Sequence, residues 1–520
     1  MHRSNELLVT DIPRRNMYSF PNKTAVVFKD RRITHLGFFE RTNRIANVLI
    51  ELGIKKKEVC ALLSMNSSEC LECYYAVPKA GGIYLPLNYR LTARELLYII
   101  DDSSAKILIY EERFQDIIEE IKLKSKVREF IVLRPSIPQQ MEYEQLLAQS
   151  SKEEPEIARS QLISEDELCL MYSSGTTGFP KGAVLTHRNM VANMWSVQAA
   201  YRCTHHDIHL NVMPLYHGGG LQYTAVHYSV GGTVVILERY DIEEFFKLVE
   251  KESITTAFLG TFMLRQMAEA RERMDYNISS MRLIFYGGSA FTIEQFQKVY
   301  NSFKCQFTQG YGMTELGPRG VTYFTPEDHR AIIEDPSKGY RINSSGVVTP
   351  TVEFKIVDVF DRTLSAGITG EICVRGEPVF KCYWNNEKET KKVIRNGWFY
   401  TGDMGYFDED GYLYVVDRKK DMIKSGGENI YCLEVERAIC KHPFVKECVV
   451  FGIPDEKWEE TVHAMIVLEA NMSVSEKEIV EFCKKQIASY KKPRSVEFVE
   501  SLPKNAIGKV IKKDLKRRFS

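Results

Sequence analysis

Short apolar runs of strand length alternate with longer amphipathic segments over most of this chain, and a layered α/β architecture is what buries both. Ala25–Phe28, Glu58–Leu63, Ile83–Leu85 and Ile107–Tyr110 are such runs, and Leu36–Leu52 between them carries helical spacing. At 520 residues the chain has room for about three or four folding units. A polar stretch, Gln149–Gln161, reads as a linker or surface excursion. From about Gly346 the texture changes to short strands with turns: Glu353–Val357, Gly370–Arg375 and Tyr412–Val416. After Arg418 it changes again. Helix Leu433–Cys440, strands Glu447–Phe451 and Ala464–Leu468, and helix Glu476–Ile487 follow, the last opened by a capping box, Ser475 to Glu478.

Charge and cysteines exclude several classes. Lys plus Arg and Asp plus Glu are 69 each, so no global positive field exists to hold nucleic acid or an anionic membrane. The opening residues Met1–Thr10 lack an apolar signal core, and the 12 scattered cysteines suggest reduced thiols in a cytoplasmic protein. Ile208–Leu237 holds no Asp (beyond the preceding Asp207), Glu, Lys or Arg and is long enough to span a bilayer. Its Pro214, five glycines, His217 and His227 favour a buried, cavity-lining stretch instead. Cys70 and Cys73 read as core thiols of a helix over Ser68–Ala76. His205, Asp207 and His209 lack a completing ligand and read as a surface turn rather than a metal site. The basic tail Lys504–Arg518 reads as a solvated helix, with no stable membrane insertion.

One segment carries chemistry openly. The buried strand pattern Leu168–Tyr172 is followed by Ser173-Ser174-Gly175-Thr176-Thr177-Gly178-Phe-Pro-Lys181-Gly182, and helix Asn189–Ala199 comes after. Glycines let the backbone turn tightly with its N–H groups on an anion, the hydroxyls add donors, and Lys181 adds a mobile charge. A nucleotide polyphosphate is the natural guest. The loop is not a Walker A sequence, because Gly-Lys-Ser/Thr is missing where the helix would begin.

Tyr172–Gly182 resembles the signature loop of the adenylate-forming enzymes: acyl-CoA synthetases, firefly luciferase and peptide-synthetase adenylation domains. The resemblance covers essentially the whole chain, through Pro214-Leu-Tyr-His217, Tyr286-Gly-Gly-Ser-Ala290, Gln309-Gly-Tyr-Gly-Met-Thr-Glu315, Gly370–Gly376, Trp398–Asp403, Asp417–Asp421, Ser425–Asn429 and Gly508-Lys509 in the family's order. Tyr412–Arg418 and Pro454–Trp458 are most like bacterial fatty-acyl-CoA ligases. The resemblance implies an α/β N-terminal domain over 1–419 that binds ATP and acid, with a β-rich subdomain at about 340–419. A small mobile α+β lid over 420–520 completes it. The implied reaction joins a carboxylate to ATP, releases pyrophosphate, and passes the acyl group from acyl-AMP to the thiol of coenzyme A.

The same resemblance implies residue roles. Glu315 holds Mg²⁺, and Thr314 contacts phosphate beside Gly312. Asp403 takes the ribose hydroxyls with Arg418 as its partner. Tyr311 and Gly288, Ser289 and Ala290 flank the adenine. Lys509 bridges the substrate carboxylate and the α-phosphate. Lys420 is the hinge, Gly426 and Gly427 line the pantetheine tunnel, and His217 gates the acid pocket. No aspartate stands beside His217 to pair an ammonium, which disfavours amino acids. The glycines at 218–220 suggest room for a long chain or a flat ring, so a fatty acid is expected first and an aryl acid second. A stand-alone enzyme loading a carrier protein and a catalytically silent nucleotide-binding regulator are the alternatives, and a homodimer is possible. Departures from the usual pattern are Ser289, Val347 and Val348, Cys432 in place of a proline, and Glu459 in place of a glycine.

Overall fold

Helix Ser68–Lys79 is buried along its whole length, and so is helix Gly218–Ser229. A helix with no wet face needs protein on every side, and two sheets supply it. The computed structural model describes residues 6–136, 141–173, 180–287, 291–317, 321–425, 428–504 and 510–519. Among these, one seven-stranded sheet runs in the order Gln306–Gln309, Leu283–Gly287, Thr256–Gly260, Ile208–Asn211, Thr233–Ile236, Thr24–Phe28 and Arg31–Thr34. All its pairs are parallel except the last. The second runs Cys382–Tyr383, Lys181–Thr186, Glu167–Ser173, Ile83–Leu87, Val59–Leu63, Ile107–Glu111 and Glu129–Leu133. It is parallel from Glu167–Ser173 onward and antiparallel at its other end. Helix Ser68–Lys79 touches strands of both sheets, while Gly218–Ser229 lies on the first with His187–Tyr201 packed beside it.

The uncharged run resolves into strand, helix and strand, all interior. Among the described residues no helix is long and apolar enough to cross a membrane. Cys70 and Cys73 are both buried on their helix, as the core reading requires.

Three local expectations need correction. The Gly/Ser/Thr segment does not lead straight from strand to helix. Lys181–Thr186 is itself a strand, paired antiparallel with Glu167–Ser173 so that Ser173 faces Lys181 in register. The apolar Ala183-Val-Leu run is what the sheet interior requires, and Lys181 therefore begins a strand. Second, of the two readings of Gln149–Gln161 the surface excursion fits and the linker does not: it contains helix Glu156–Ser160, and Asn43, Arg44 and Asn47 of helix His35–Glu51 donate to its carbonyls at Lys152, Ser150, Ser151 and Glu153. Buried Lys79, pushed down to about 8 by burial, joins Glu154 and Arg14 beneath it. Third, only His205 of its trio is a surface residue. Asp207 is buried on Arg282, and His209 is interior, stacked on His227 at 4.1 Å. Parallel pairing with Thr233–Ile236 draws that strand inside.

The β-rich region is an antiparallel sheet of Val352–Val357, Gly370–Gly376, Trp398–Phe407 and Ile394–Arg395, with Leu413–Arg418 on the long strand. It is not self-contained, because Cys382–Tyr383 leaves it to pair with Lys181–Thr186. Beyond Arg418, strands Ile423–Ser425, Glu428–Ile430, Val445–Asp455, Glu459–Leu468 and Ser495–Phe498 form a separate sheet. Its core is built on Ile423, Val435, Val450, Ile466 and Ile479. Ser475 caps helix Glu476–Lys484 by accepting from the Glu478 N–H at 3.2 Å.

Candidate active site

Asp403 does not sit in a turn. It lies inside strand Trp398–Phe407, directly after Gly402, whose φ of 72° kinks the strand. That backbone favours glycine because a Cβ there meets its own carbonyl. Asp403 is buried, and both carboxylate oxygens are engaged: the Tyr311 hydroxyl donates to one at 2.7 Å, and the Arg418 guanidinium forms an ion pair with the other at 2.9 Å. Arg418 reaches it because strands Trp398–Phe407 and Leu413–Arg418 pair with Asp403 opposite Arg418. Tyr311 is fixed at its own backbone, whose N–H donates to the Thr322 hydroxyl at 2.8 Å. Gly310 before it admits no side chain, since a Cβ would stand 2.2 Å from the Thr322 carbonyl.

Glu315 occupies a short 3-10 turn, Thr314–Leu316. It is buried, and burial raises its carboxyl above the usual range. One oxygen accepts from the Tyr383 hydroxyl at 2.9 Å, and its carbonyl accepts from the Phe380 N–H at 2.8 Å. Over the face of the Tyr383 ring lies Lys181, its ammonium 5.3 Å from the centroid and paired at 2.5 Å with Glu389. That pair holds the Glu389 carboxyl down at about 2.

Residues far apart in sequence thus form one constellation. Lys181, Glu315, Tyr311, Asp403 and Arg418 were expected at a nucleotide site, and Tyr383 links Lys181 to Glu315. Tyr383 and Glu389 were missed. The signal for them is faint: an aromatic pair, Tyr383-Trp384, soon after Gly370–Gly376, and a carboxylate six residues after the tyrosine. His217 caps helix Gly218–Ser229, its Nδ1 accepting from the Gly219 N–H at 3.1 Å. That helix is tied to the Glu315 turn through two side chains. Gln222 donates to Asn193 at 2.7 Å, and Asn193 donates to the Leu316 carbonyl at 3.3 Å.

Thr314 opens the Glu315 turn and Gly312 lies just before it, both half-buried. Lys420 is exposed in the turn that closes when the N–H groups of Asp421 and Met422 donate to the Arg418 carbonyl. Ser173 ends its strand. Ser174, Gly175, Thr176, Thr177, Gly178, Gly288, Ser289, Ala290, Gly426, Gly427 and Lys509 lie outside the described residues.

The AMP-binding enzyme family matches residues 13–384, and its C-terminal domain matches residues 434–509. The chain is an AMP-binding enzyme. As an AMP-binding enzyme it is similar to a fatty acid–[acyl-carrier-protein] ligase, ScoC of Streptomyces coeruleorubidus, at 32% identity over 96% of this chain and 94% of the relative. It is 32% identical to a long-chain-fatty-acid–CoA ligase of Mycobacterium tuberculosis over 94% of each. Among solved structures it superposes on ATP-bound MatB from Rhodopseudomonas palustris with a TM-score of 0.88 and 28% identity, covering 98% of this chain and 99% of that one. The AMP-binding enzymes it resembles are adenylate-forming acid ligases, and this chain carries their mixed α/β body and smaller C-terminal domain.

Proposed function

We propose that this enzyme is an ATP-dependent acid–CoA ligase acting on a carboxylic acid, a fatty acid before an aryl acid. The observation that supports it best is a pair of neighbouring groups, Lys181 and Glu315 joined through Tyr383 and Asp403 held by Tyr311 and Arg418, with the Arg418 and Asp403 charges acting on Glu315. In the first step an acid oxygen attacks the α-phosphorus of ATP, and pyrophosphate leaves with the electron pair of the broken P–O bond. Two anions must approach, so cationic groups carry the barrier. Lys181 meets the polyphosphate by exchanging Glu389 for phosphate oxygens, while Lys509 bridges the acid and the α-phosphate. Asp403 accepts from the ribose hydroxyls, and Arg418 and Tyr311 hold it for that task.

The donor chemistry at Glu315 fits Mg²⁺. A buried carboxylate is a hard oxygen ligand, and this ion takes one or two carboxylates and completes its shell with phosphate and water oxygens. When bound, the ion would withdraw charge from the phosphates.

In the second step the coenzyme A thiolate attacks the acyl carbon and AMP leaves. Lys509 and an entering thiol compete for one position, so the reading divides the chain into 1–419 and a lid over 420–520 that pivots at Lys420. Gly426 and Gly427 would then face the pantetheine arm. Acid-dependent exchange of pyrophosphate into ATP tests the first step, and an absence of exchange with every acid in a broad panel overturns the reading. The similarity to ScoC favours one rival, transfer to a carrier protein. Turnover of free coenzyme A to acyl-CoA separates the two.

A further inference from the structure

Strand Leu413–Arg418 is the last of the body before the proposed pivot, and helix Cys432–Ile439 is the first helix after it. The helix opens without a side-chain cap of its own, because Tyr431 takes none of the free N–H groups of the first turn. The body supplies that cap. Asp417 is buried, and its carboxylate accepts from the Cys432 N–H through one oxygen and from the Arg418 N–H through the other, the latter at 2.7 Å. Negative charge suits a helix N-terminus. One turn along the same face, Glu436 pairs with Lys512 at 2.9 Å and accepts from the Val450 N–H at 2.8 Å. The Lys512 charge acts on Asp417 as well. Arg437 donates to the Val415 carbonyl at 3.4 Å. The Cys432 and Arg437 bonds each join a residue before 418 to one after 431, so a lid that swings about Lys420 parts them.

We propose that the Cys432 N–H and the Asp417 carboxylate form a latch across the pivot, one that holds the lid in the orientation of this structure and opens each time the enzyme passes between its two half-reactions. The inference rests on the two-step ligase reading with its pivot at Lys420. Both groups are positioning residues, acting through the lid and not on the reacting atoms. A state that alone contains a bond is favoured by the free energy of that bond, and a hydrogen bond to a charged group shifts an equilibrium by about tenfold to a hundredfold. The donor belongs to the backbone, which makes it separable from the side chain. Position 432 is the first of its helix, where proline fits, and Tyr431 before it is extended at φ −91° and ψ 119°, as a residue preceding proline must be. Cys432→Pro therefore removes the N–H and keeps the helix. Cys432→Ala keeps the N–H and removes only the thiol, which donates to the Asp421 carbonyl at 3.0 Å.

Pyrophosphate exchange and acyl transfer to coenzyme A, measured with one acid on the wild type and three variants, test the latch. Cys432→Pro should change the ratio of the two rates by about tenfold or more, against the half-reaction that uses this orientation. Cys432→Ala should keep the wild-type ratio. Asp417→Asn, whose amide oxygen still accepts but carries no charge, should move the ratio the same way as Cys432→Pro and by less, so a folding failure of the proline variant does not decide the matter. The same ratio in Cys432→Pro and Cys432→Ala, or equal loss of both rates in Cys432→Pro, would overturn the inference. Exchange with no acid at all defeats the ligase reading instead. The latch is then judged by trypsin, which cuts after Lys419, Lys420 and Lys424 between strand and helix at a rate that follows the population of the open form. Cys432→Pro should be cut there about tenfold faster than the wild type and Cys432→Ala no faster; equal rates in all three proteins overturn the latch.

Discussion

At Glu459 the backbone adopts a φ of 67° with a non-glycine residue, opposite Ser425 in the lid sheet. The family pattern has glycine there, and the geometry explains why: a Cβ in the left-handed region costs about 1–2 kcal/mol. Glycine's greater freedom in the unfolded chain returns about 0.4–1 kcal/mol of that. Glu459→Gly should therefore raise stability slightly, by up to about 1 kcal/mol, read as a higher urea midpoint at unchanged slope. Cys432, in place of a proline, is equally readable. It opens helix Cys432–Ile439, and its N–H donates to the buried Asp417 carboxylate, a bond that proline could not make. The motif spacings made Glu315, Asp403 and Arg418 legible, because each role attaches to a residue type within a short string. Tyr383 was not legible, since its role arises only where its strand meets Lys181–Thr186. Lys509→Ala should slow adenylation by about 10²–10³-fold, as loss of one preorganised charge does, and single-turnover formation of acyl-AMP measures it.

At the scale of elements, the proposed pivot lies where the body meets the C-terminal sheet. Strand Leu413–Arg418 ends at Arg418, whose guanidinium stays on Asp403, and the next residues turn before strand Ile423–Ser425 begins. Lys419 is held on the body side by Glu371 at 2.8 Å and by the Gly402 carbonyl, which leaves Lys420 as the first residue past those ties. A proline there fixes φ and restricts Lys419 before it. Lys420→Pro should spare pyrophosphate exchange and depress thioester formation, so that acyl-AMP accumulates when coenzyme A is present. Equal loss in both half-reactions would contradict a pivot at this position. Asp417 adds a second link, because its carboxylate in the body accepts from Cys432 of the lid's first helix.

At the scale of the whole molecule, acid stability is set by imidazoles sealed in the interior. Burial holds His35, His227 and His329 down at about 4, and His209 well below its ordinary value. The unfolded chain protonates these rings near pH 6.5 while the folded chain does not, so below that pH the unfolded state binds more protons. Stability therefore rises with pH between about 4 and 6.5, by about 1.4 kcal/mol per pH unit for each such histidine, and is level with respect to them above pH 6.5. Urea unfolding at pH 5 and pH 7 should show a lower midpoint at pH 5, and His329→Phe should reduce the difference.

The amino-acid sequence by itself determined the alternation that makes an α/β body, the change of texture after Arg418, and the residue types able to hold a nucleotide, since propensity and spacing act between near neighbours. Only the tertiary structure decided that the Gly/Ser/Thr segment joins two strands, that Tyr383 bridges Lys181 and Glu315, and that the helix after His217 packs at Gly219 against Phe258. Those outcomes depend on sheet register and side-chain volume among residues tens to hundreds of positions apart, and no local pattern encodes which of them will touch.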